Sequence, residues 1–140
     1  MKIEITDIYE LEGLLNLFNE AIKSAEGLPD KKYSLKEFSA QTAGEEILVA
    51  NINEKNVGFV SVWCKDKFVH HLYVAPKYQR RNVGKALLQE CQIRYGLPLS
   101  LKCPEANKEA CSFYERNGWV IKSRDVDDAG PYIPYWLKNA

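Results

Sequence analysis

Apolar side chains recur every three or four residues near the start of the chain, which is the spacing of an amphipathic helix. The stripe consists of Leu11, Leu14, Leu15, Phe18 and Ile22. A β-rich run at Ile3–Ile5 precedes the stripe and predicts a short first strand. Gly27 and Pro29 follow the stripe and end the predicted helix.

Two pairs of residues have the spacing of a capping box, in which a side chain and an acid three residues later bond each other's backbone N–H groups. Asp7 with Glu10 predicts the start of the first helix. Ser34 with Glu37 predicts a second, shorter helix that ends near Gly44.

Three β-rich runs follow, separated by short polar turns. They are Ile47–Ile52, Val57–Cys64 and Phe68–Val74, and the turns are 53–56 and 65–67. Because short turns join antiparallel neighbours, the three runs predict an antiparallel meander.

The second half of the chain alternates helices with strands. It predicts a helix over 82–95, a strand at Leu99–Cys103, a helix capped by Asn107 with Gly118 at its left-handed end, a strand at Trp119–Arg124, a turn at Asp127–Gly130 and a last strand at Ile133–Leu137. A strand–helix–strand unit returns parallel, so Phe68–Val74 and Leu99–Cys103 should be parallel neighbours. The pattern predicts one α/β (or α+β) domain over 1–140, with a mixed, mostly antiparallel sheet flanked by helices.

Composition narrows the function classes. Of 140 residues, 46% are apolar, and 19 basic side chains balance 19 acidic ones. Zero net charge opposes a nucleic-acid or membrane-surface binder. No apolar run has the length of a membrane span and the start lacks a secretory signal, so we expect a cytoplasmic protein without a membrane partner. Four cysteines lack any C-x-x-C spacing and the two histidines are adjacent, which predicts no metal.

The candidate chemistry lies in the loop that leads from the third run of the meander into the next helix. Basic residues at 77, 80, 81 and 85 surround Asn82 and Gly84. A helix start offers free N–H groups and the positive end of the dipole, Asn82 tolerates a left-handed backbone, and Gly84 allows close approach of a ligand. These features indicate a pyrophosphate cradle, which is neither a Walker nor a Rossmann loop. A merely solvated basic helix start is an equally good explanation of the loop by itself.

Two motifs at this spacing resemble the GNAT superfamily of acyl-CoA-dependent N-acyltransferases. Gln79–Gly84 resembles the Q/R-x-x-G-x-G/A loop of that family, with Asn82 in place of its first glycine. Asn107, Ala110, Phe113, Tyr114, Glu115, Gly118 and Trp119 resemble its N-x-x-A-x-x-F-Y-E-x-x-G-F segment. The resemblance is strong from about residue 57 to 121. It implies a GNAT-like fold in which strands four and five splay apart at the cofactor.

The resemblance also implies a set of cofactor-binding residues for acetyl-CoA. Backbone groups of Leu72, Tyr73 and Val74 would bind the pantetheine arm, the loop residues Gln79, Arg80, Arg81, Asn82, Val83, Gly84 and Lys85 would hold the pyrophosphate, and Asn107 would meet the pantetheine side. With Asn82 in place of the glycine, acetyl-CoA is still expected to bind, with a lower affinity.

Two side chains are candidates for catalysis. The resemblance implies that Tyr114 protonates the departing CoA thiolate, whereas its helical spacing by itself favours a core tyrosine. In some relatives the region of His70 supplies a base, and an imidazole suits that role. The alternative for His70 is a hydrogen-bonded strand histidine. Alternation along a strand would place His70 and His71 on opposite faces, with His70 on the face of Leu72 and Val74.

The predicted function is direct transfer of an acetyl group from acetyl-CoA to a primary amine of a small molecule or peptide. Cys103 and Cys111 are interpreted as small core residues, because no histidine near them in sequence would activate a thiol. Acids and aromatics that could attract a cationic acceptor include Glu26, Tyr33, Asp127, Tyr132 and Tyr135, although a solvated surface is the better reading of them. The alternatives are a CoA-binding sensor or interaction module without catalysis and, more weakly, a nucleic-acid binder. A homodimer is left open.

Overall fold

The computed structural model describes residues 2–139, which fold as eight strands with four α-helices. The strands are β1 Glu4–Thr6, β2 Glu46–Ile52, β3 Lys55–Trp63, β4 Phe68–Val74, β5 Leu99–Pro104, β6 Val120–Ile121, β7 Asp125–Asp127 and β8 Gly130–Leu137. The helices are α1 Leu11–Ser24, α2 Leu35–Thr42, α3 Val83–Tyr95 and α4 Lys108–Arg116. The two ends of the predicted 1–140 domain, residues 1 and 140, lie outside the described residues.

All the strands belong to one mixed sheet. Its order is β1-β2-β3-β4-β5-β8-β6, with β7 also paired to β8. The predicted meander β2-β3-β4 is antiparallel, and β4 runs parallel to β5. Pairing between β4 and β5 is limited to Phe68 with Ser100 and Val69 with Leu101, so the two strands separate beyond Val69. The predicted parallel arrangement and splay are therefore confirmed.

Helices cover both faces of the sheet and create two apolar cores. On one face Phe18 of α1 and Phe38 of α2 pack against Phe59 of β3. On the other face Leu87 of α3 packs in a cluster with Val60 of β3. Neighbouring β3 residues serve opposite cores because side chains alternate across a strand. The gap between β4 and β5 lies between these two covered faces.

The two predicted capping boxes have different outcomes. Ser34 and Glu37 form the full reciprocal pair at the start of α2, as predicted. The box at Asp7 is wrong, because α1 begins at Leu11 with Glu10 at its N-cap and no side-chain cap bond. Thr6 Oγ1 instead accepts the Ile8 N–H at 3.1 Å, which closes a local turn before the helix.

The end of the chain differs from the predicted boundaries. The predicted strand Trp119–Arg124 is reduced to β6, and the predicted turn at Asp127–Gly130 overlaps β7 and the start of β8. Both short strands pair with β8, at opposite ends of it. Pro134 lies between those two pairings and its carbonyl accepts the Lys122 N–H, but proline has no N–H to return to the ladder. The ladder therefore breaks into two pieces there.

Among the described residues, no helix combines the length and the apolar character that crossing a bilayer requires.

Candidate active site

A cavity of about 920 Å³ opens where β4 and β5 separate. Its walls are the last residues of β4, the loop and first turn of α3, the end of α1 and one side of α4. Every site residue predicted from the sequence lines it except Arg81 and His70: Leu72, Tyr73, Val74, Gln79, Arg80, Asn82, Val83, Gly84, Lys85, Asn107 and Tyr114. Its volume is within the range of cofactor pockets.

The first turn of α3 is open towards this cavity. Asn82 is the N-cap, with φ +67° in the left-handed region, as the sequence predicts for an asparagine in place of the family glycine. Its side chain makes no capping hydrogen bond, so the first N–H groups of α3 lack the usual side-chain acceptor. Arg80 also adopts a left-handed backbone, with φ +64°, which the sequence does not reveal. The loop therefore offers backbone donors and a helix dipole to an anion.

Gly84 has a packing role in addition to its place on the cavity wall. A Cβ at this position would lie 3.2 Å from Cζ of Phe113 on α4. The sequence alone explains Gly84 by close approach of a ligand, but the structure shows that the missing side chain also lets α3 approach α4. A large substitution here would disturb packing as well as any ligand.

Side chains of the loop already have partners in the protein. The Arg80 guanidinium lies 3.6 Å from a carboxylate oxygen of Glu109 on α4. The Gln79 amide donates to the Val74 carbonyl at 3.2 Å. The Arg81 guanidinium lies 5.8 Å from the centre of the Tyr78 ring, and Arg81 is not among the residues that line the cavity. Gln79 and Arg80 therefore line the cavity and also hold the loop against its neighbours.

The end of β4 has one edge without a strand partner, and this edge lies beside the cavity. Leu72, Tyr73 and Val74 pair with β3, whereas their edge towards β5 has no strand partner among the described residues. Free backbone groups at a strand edge can bind an extended polar chain by adding to the ladder. This geometry suits the implied contacts with a pantetheine arm.

Tyr114 both packs in the core and lines the cavity. Its ring lies 5.8 Å from each of the rings of Trp119 and Tyr135. Burial is the main cause that raises the pKa of Tyr114, with smaller contributions from the Cys103 thiol and the Tyr73 phenol. The phenol therefore keeps its proton at neutral pH. Trp119 N–H donates to the Tyr114 carbonyl at 3.0 Å, which fixes the end of α4 below this ring.

Other residues of the α4 segment hold the helix in place. Asn107 is the predicted N-cap, and its Oδ1 accepts the Ala110 N–H at 3.3 Å while the residue also lines the cavity. Glu115 accepts a 2.6 Å hydrogen bond from the Tyr135 hydroxyl on β8. The Glu115–Tyr135 bond ties α4 to the sheet, and nothing in the sequence spacing reveals it.

The buried cysteines agree with the interpretation as core residues. The sulfur atoms of Cys103 and Cys111 lie 3.6 Å apart, and both residues are buried. Burial raises the pKa of the Cys103 thiol, which keeps it protonated and a poor nucleophile.

Several acids and aromatics proposed for acceptor recognition already bind internal partners. Asp127 lies 2.6 Å from the Lys102 ammonium, which also lies 4.4 Å from the centre of the Tyr132 ring. Tyr135 is buried against Glu115. Glu26, by contrast, lines the cavity. The internal pairs reduce the negative charge that these residues offer to an acceptor.

The prediction that His70 and His71 point to opposite faces is wrong. On β3, Val62 pairs with Val69 and Ser61 pairs with His71, so His70 is the extra residue of a β-bulge. A bulge interrupts the alternation of side chains, and the two imidazole rings lie side by side with centroids 3.9 Å apart. Leu72 and Val74 pack against the other core, away from His70.

Glu45, immediately before β2, joins the two histidines. Its carboxylate accepts a hydrogen bond of 2.5 Å from Nδ1 of His70. His71 is buried between Ser61 Oγ, 2.8 Å from Nδ1, and Gln41 Oε1, 3.3 Å from Nε2. Burial, with a smaller effect of His70, lowers the pKa of His71 to about 3. The sequence gives no sign of Glu45, because 25 residues separate it from His70.

A protein-family description, "Acetyltransferase (GNAT) domain", matches residues 43–121, which is more than half of the chain. The chain therefore belongs to the GNAT acetyltransferase family, which confirms the resemblance found in the sequence. Membership also agrees with the predicted enzyme class and with acetyl-CoA as co-substrate.

One curated relative and two solved structures illustrate the similarity. The peptidyl-lysine N-acetyltransferase YiaC of Escherichia coli is 36% identical over 85 residues, which are 61% of this chain and 56% of the relative. The match thus spans little more than half the length of that relative. The PaiA N-acetyltransferase from Thermoplasma acidophilum, solved with coenzyme A, superposes with a TM-score of 0.80 at 23% identity, covering 99% of this chain and all of the other.

A GCN5-related N-acetyltransferase from Rhodopseudomonas palustris superposes with a TM-score of 0.82 at 19% identity, covering 99% of this chain and 97% of the other. At such identities the two structures establish the fold alone, and they confirm the predicted fold class.

Proposed function

We propose that this chain transfers the acetyl group of acetyl-CoA directly to a primary amine of a peptide or small molecule. The observation that carries the proposal is the convergence of three features on one cavity. The uncapped first turn of α3, the unpaired edge of β4 and the Tyr114 phenol all line it.

The residues on the cavity wall suit the two ends of the co-substrate. The N–H groups at the start of α3 would accept the pyrophosphate, because the helix dipole and the uncapped donors favour an anion there. Lys85 and Arg80 add positive charge on the same wall. The free edge of β4 would bind the amide groups of the pantetheine arm. When bound, acetyl-CoA supplies a thioester whose sulfur leaves as a thiolate.

Tyr114 is the proposed proton donor to that sulfur. Its buried phenol retains the proton at neutral pH, since burial raises its pKa. The same raised pKa makes complete proton loss costly, so we expect the phenol to hydrogen-bond the developing thiolate before the proton moves. Packing against Trp119 and Tyr135 holds the ring in one position.

His70 remains the proposed base for the acceptor amine. Its Nδ1 is bonded to Glu45, which leaves Nε2 as the nitrogen that can take a proton. His70 is exposed and does not line the cofactor cavity. It would therefore meet the acceptor amine at the protein surface, outside the cofactor cavity. The local similarity to a peptidyl-lysine N-acetyltransferase supports a lysine side chain of a peptide as the first acceptor to test.

The test is turnover of acetyl-CoA by the purified chain against lysine peptides, peptide N-termini, polyamines and aminoglycosides. We expect CoA release that depends on one acceptor class and on Tyr114. Tight CoA binding without turnover on any acceptor would instead favour the non-catalytic sensor.

A further inference from the structure

The carboxylate of Glu45 is buried in a way that leaves one oxygen without a partner. The side chain is only 7% exposed, and Oε1 has no hydrogen-bond donor among the described residues. A buried carboxylate oxygen without a donor carries a desolvation penalty. A cation beside Oε1 would remove that penalty.

Two imidazole nitrogens face this carboxylate. Nδ1 of His70 lies 2.5 Å from Oε2, and Nδ1 of His71 lies 3.7 Å from Oε1. One ligand atom from each of the three residues lies within 4.8 Å of the others. The β-bulge at His70 is the cause, since a regular strand would send the two rings to opposite faces.

We propose that Glu45, His70 and His71 bind a divalent transition metal ion, with Zn²⁺ as the best match. Two imidazole nitrogens and a carboxylate oxygen suit zinc, whereas calcium and magnesium prefer oxygen ligands alone. Three protein ligands leave the fourth tetrahedral position to water. His70, with a side chain 40% exposed, provides the path of entry from solvent.

The surroundings of His71 are suited to a metal ligand. Gln41 Oε1 lies 3.3 Å from Nε2 and can accept a hydrogen bond from the Nε2 N–H. Nδ1 then keeps its lone pair, and it lies 2.8 Å from Ser61 Oγ and 3.7 Å from Glu45 Oε1. A bond from the second ring nitrogen to an oxygen is the usual way in which a protein orients a ligating histidine. At His71, the ion would replace the Ser61 hydroxyl as the partner of Nδ1. At His70, the ion would bind Nδ1 in place of a proton, and His70 would carry its proton on Nε2.

This site is separate from the cofactor cavity and does not depend on the proposed acetyl transfer. If both proposals hold, zinc would hold Nδ1 of His70 and leave the proton on Nε2, so the loaded protein would lose its base. Metal binding is therefore measured directly, and not by activity.

The experiment uses the full chain after removal of metals with a chelator. Zn²⁺ is titrated by calorimetry, and Co²⁺ is titrated by visible absorption, where tetrahedral nitrogen and oxygen ligands give d–d bands. The Cys103–Cys111 pair is the competing site, because its sulfurs are 3.6 Å apart. Thiolate ligands would add a strong charge-transfer band in the near ultraviolet, and Cys103→Ser serves as the matched control.

We expect one Zn²⁺ per chain, no thiolate band, and unchanged binding in Cys103→Ser. His70→Gln changes an exposed side chain and should weaken Zn²⁺ affinity by about 100-fold or more, while Gln41→Leu, which removes only the orienting bond, should weaken it about 10-fold. Zn²⁺ should raise the melting temperature of the native chain and not that of His70→Gln.

Three results would overturn the site: no Zn²⁺ binding to the native chain, equal affinity in His70→Gln, or loss of binding in Cys103→Ser. None of these results bears on acetyl transfer, so failure of the metal site leaves the proposed function standing, and the converse also holds.

Discussion

The Arg80 guanidinium lies 3.6 Å from the Glu109 carboxylate, and both residues line the same cavity. The pair links the loop before α3 to the first turn of α4. Since this cavity is the proposed site of a pyrophosphate, the carboxylate of Glu109 competes with the ligand for the charge of Arg80. Glu109 therefore offsets part of the positive charge that Arg80 could offer to a ligand.

We accordingly expect Glu109→Gln to bind CoA more tightly. Both side chains are exposed, and exposed ion pairs are weak, so the gain should be roughly 2- to 5-fold in Kd. Calorimetric titration with CoA measures it. Glu105→Gln is the matched control, because its partner is Arg124, which does not line the cavity, and its Kd should not change. Equal changes in the two variants would indicate a general charge effect and contradict the specific competition.

Tyr114→Phe removes the proposed proton donor and keeps the ring that packs against Trp119 and Tyr135. We expect kcat with the true acceptor to fall about 10-fold or more, with CoA affinity and melting temperature little changed. Steady-state kinetics and thermal unfolding on the same preparation distinguish a catalytic phenol from a core tyrosine. An unchanged kcat would remove the catalytic assignment.

Tyr135→Phe provides the contrasting variant on the facing strand. It removes the 2.6 Å charge-assisted bond from a buried hydroxyl to the exposed carboxylate of Glu115. We expect a loss of about 1–3 kcal/mol in the free energy of unfolding. Urea unfolding measures the loss, and a variant as stable as the native chain would contradict a structural role for this bond.

Gly84→Ala tests the contact between α3 and α4. The new Cβ would lie 3.2 Å from Cζ of Phe113, so the ring must shift, and we expect a loss of about 1–3 kcal/mol despite the better helix propensity of alanine. In a Phe113→Leu background the crowding is relieved, and the same substitution should become neutral or stabilising. A double-mutant cycle in urea measures the coupling, and additive effects would show that the ring does not limit the position.

The capping box of α2 gives a prediction for pH. A hydrogen bond from Lys31, followed by bonds from the backbone and side chain of Ser34, lowers the pKa of Glu37 from 4.5 to about 2. A carboxyl with a lowered folded-state pKa contributes stability that is present above pH 4.5 and is lost as the pH falls towards 2. Glu37→Gln keeps a capping-box residue but removes the charge. Its urea midpoint should therefore vary less over this pH interval than that of the native chain, and parallel curves would contradict the assignment.

Local patterns were sufficient for most of the elements. The 3.6-residue spacing of Leu14, Phe18 and Ile22 identifies α1, and the short polar turns identify the meander, because both signals depend on neighbours in sequence. The same holds for the left-handed backbone at Asn82 and the caps at Ser34 and Asn107.

The predicted ends of an element were wrong where a residue distant in sequence determines them. The predicted strand Trp119–Arg124 is cut short because Pro134 has no N–H to donate on this edge of β8, so β6 and β7 pair on either side of it. The other edge of β8 pairs with β5 without a break. The predicted helix start at Asp7 was wrong for a different reason, since the neighbouring hydroxyl of Thr6 forms a competing local turn.

By itself, then, the sequence determined the order of elements, the loop that offers N–H groups to an anion, and Tyr114 on the apolar side of α4. Only the tertiary structure decided which of the predicted residues share the cavity, that Gly84 faces Phe113, and that Glu45 lies against both histidines. The physical reason is that a one-residue bulge in β4 depends on pairing with β3, and a bond across 25 residues depends on the register of the sheet. Neither leaves a local pattern in the chain.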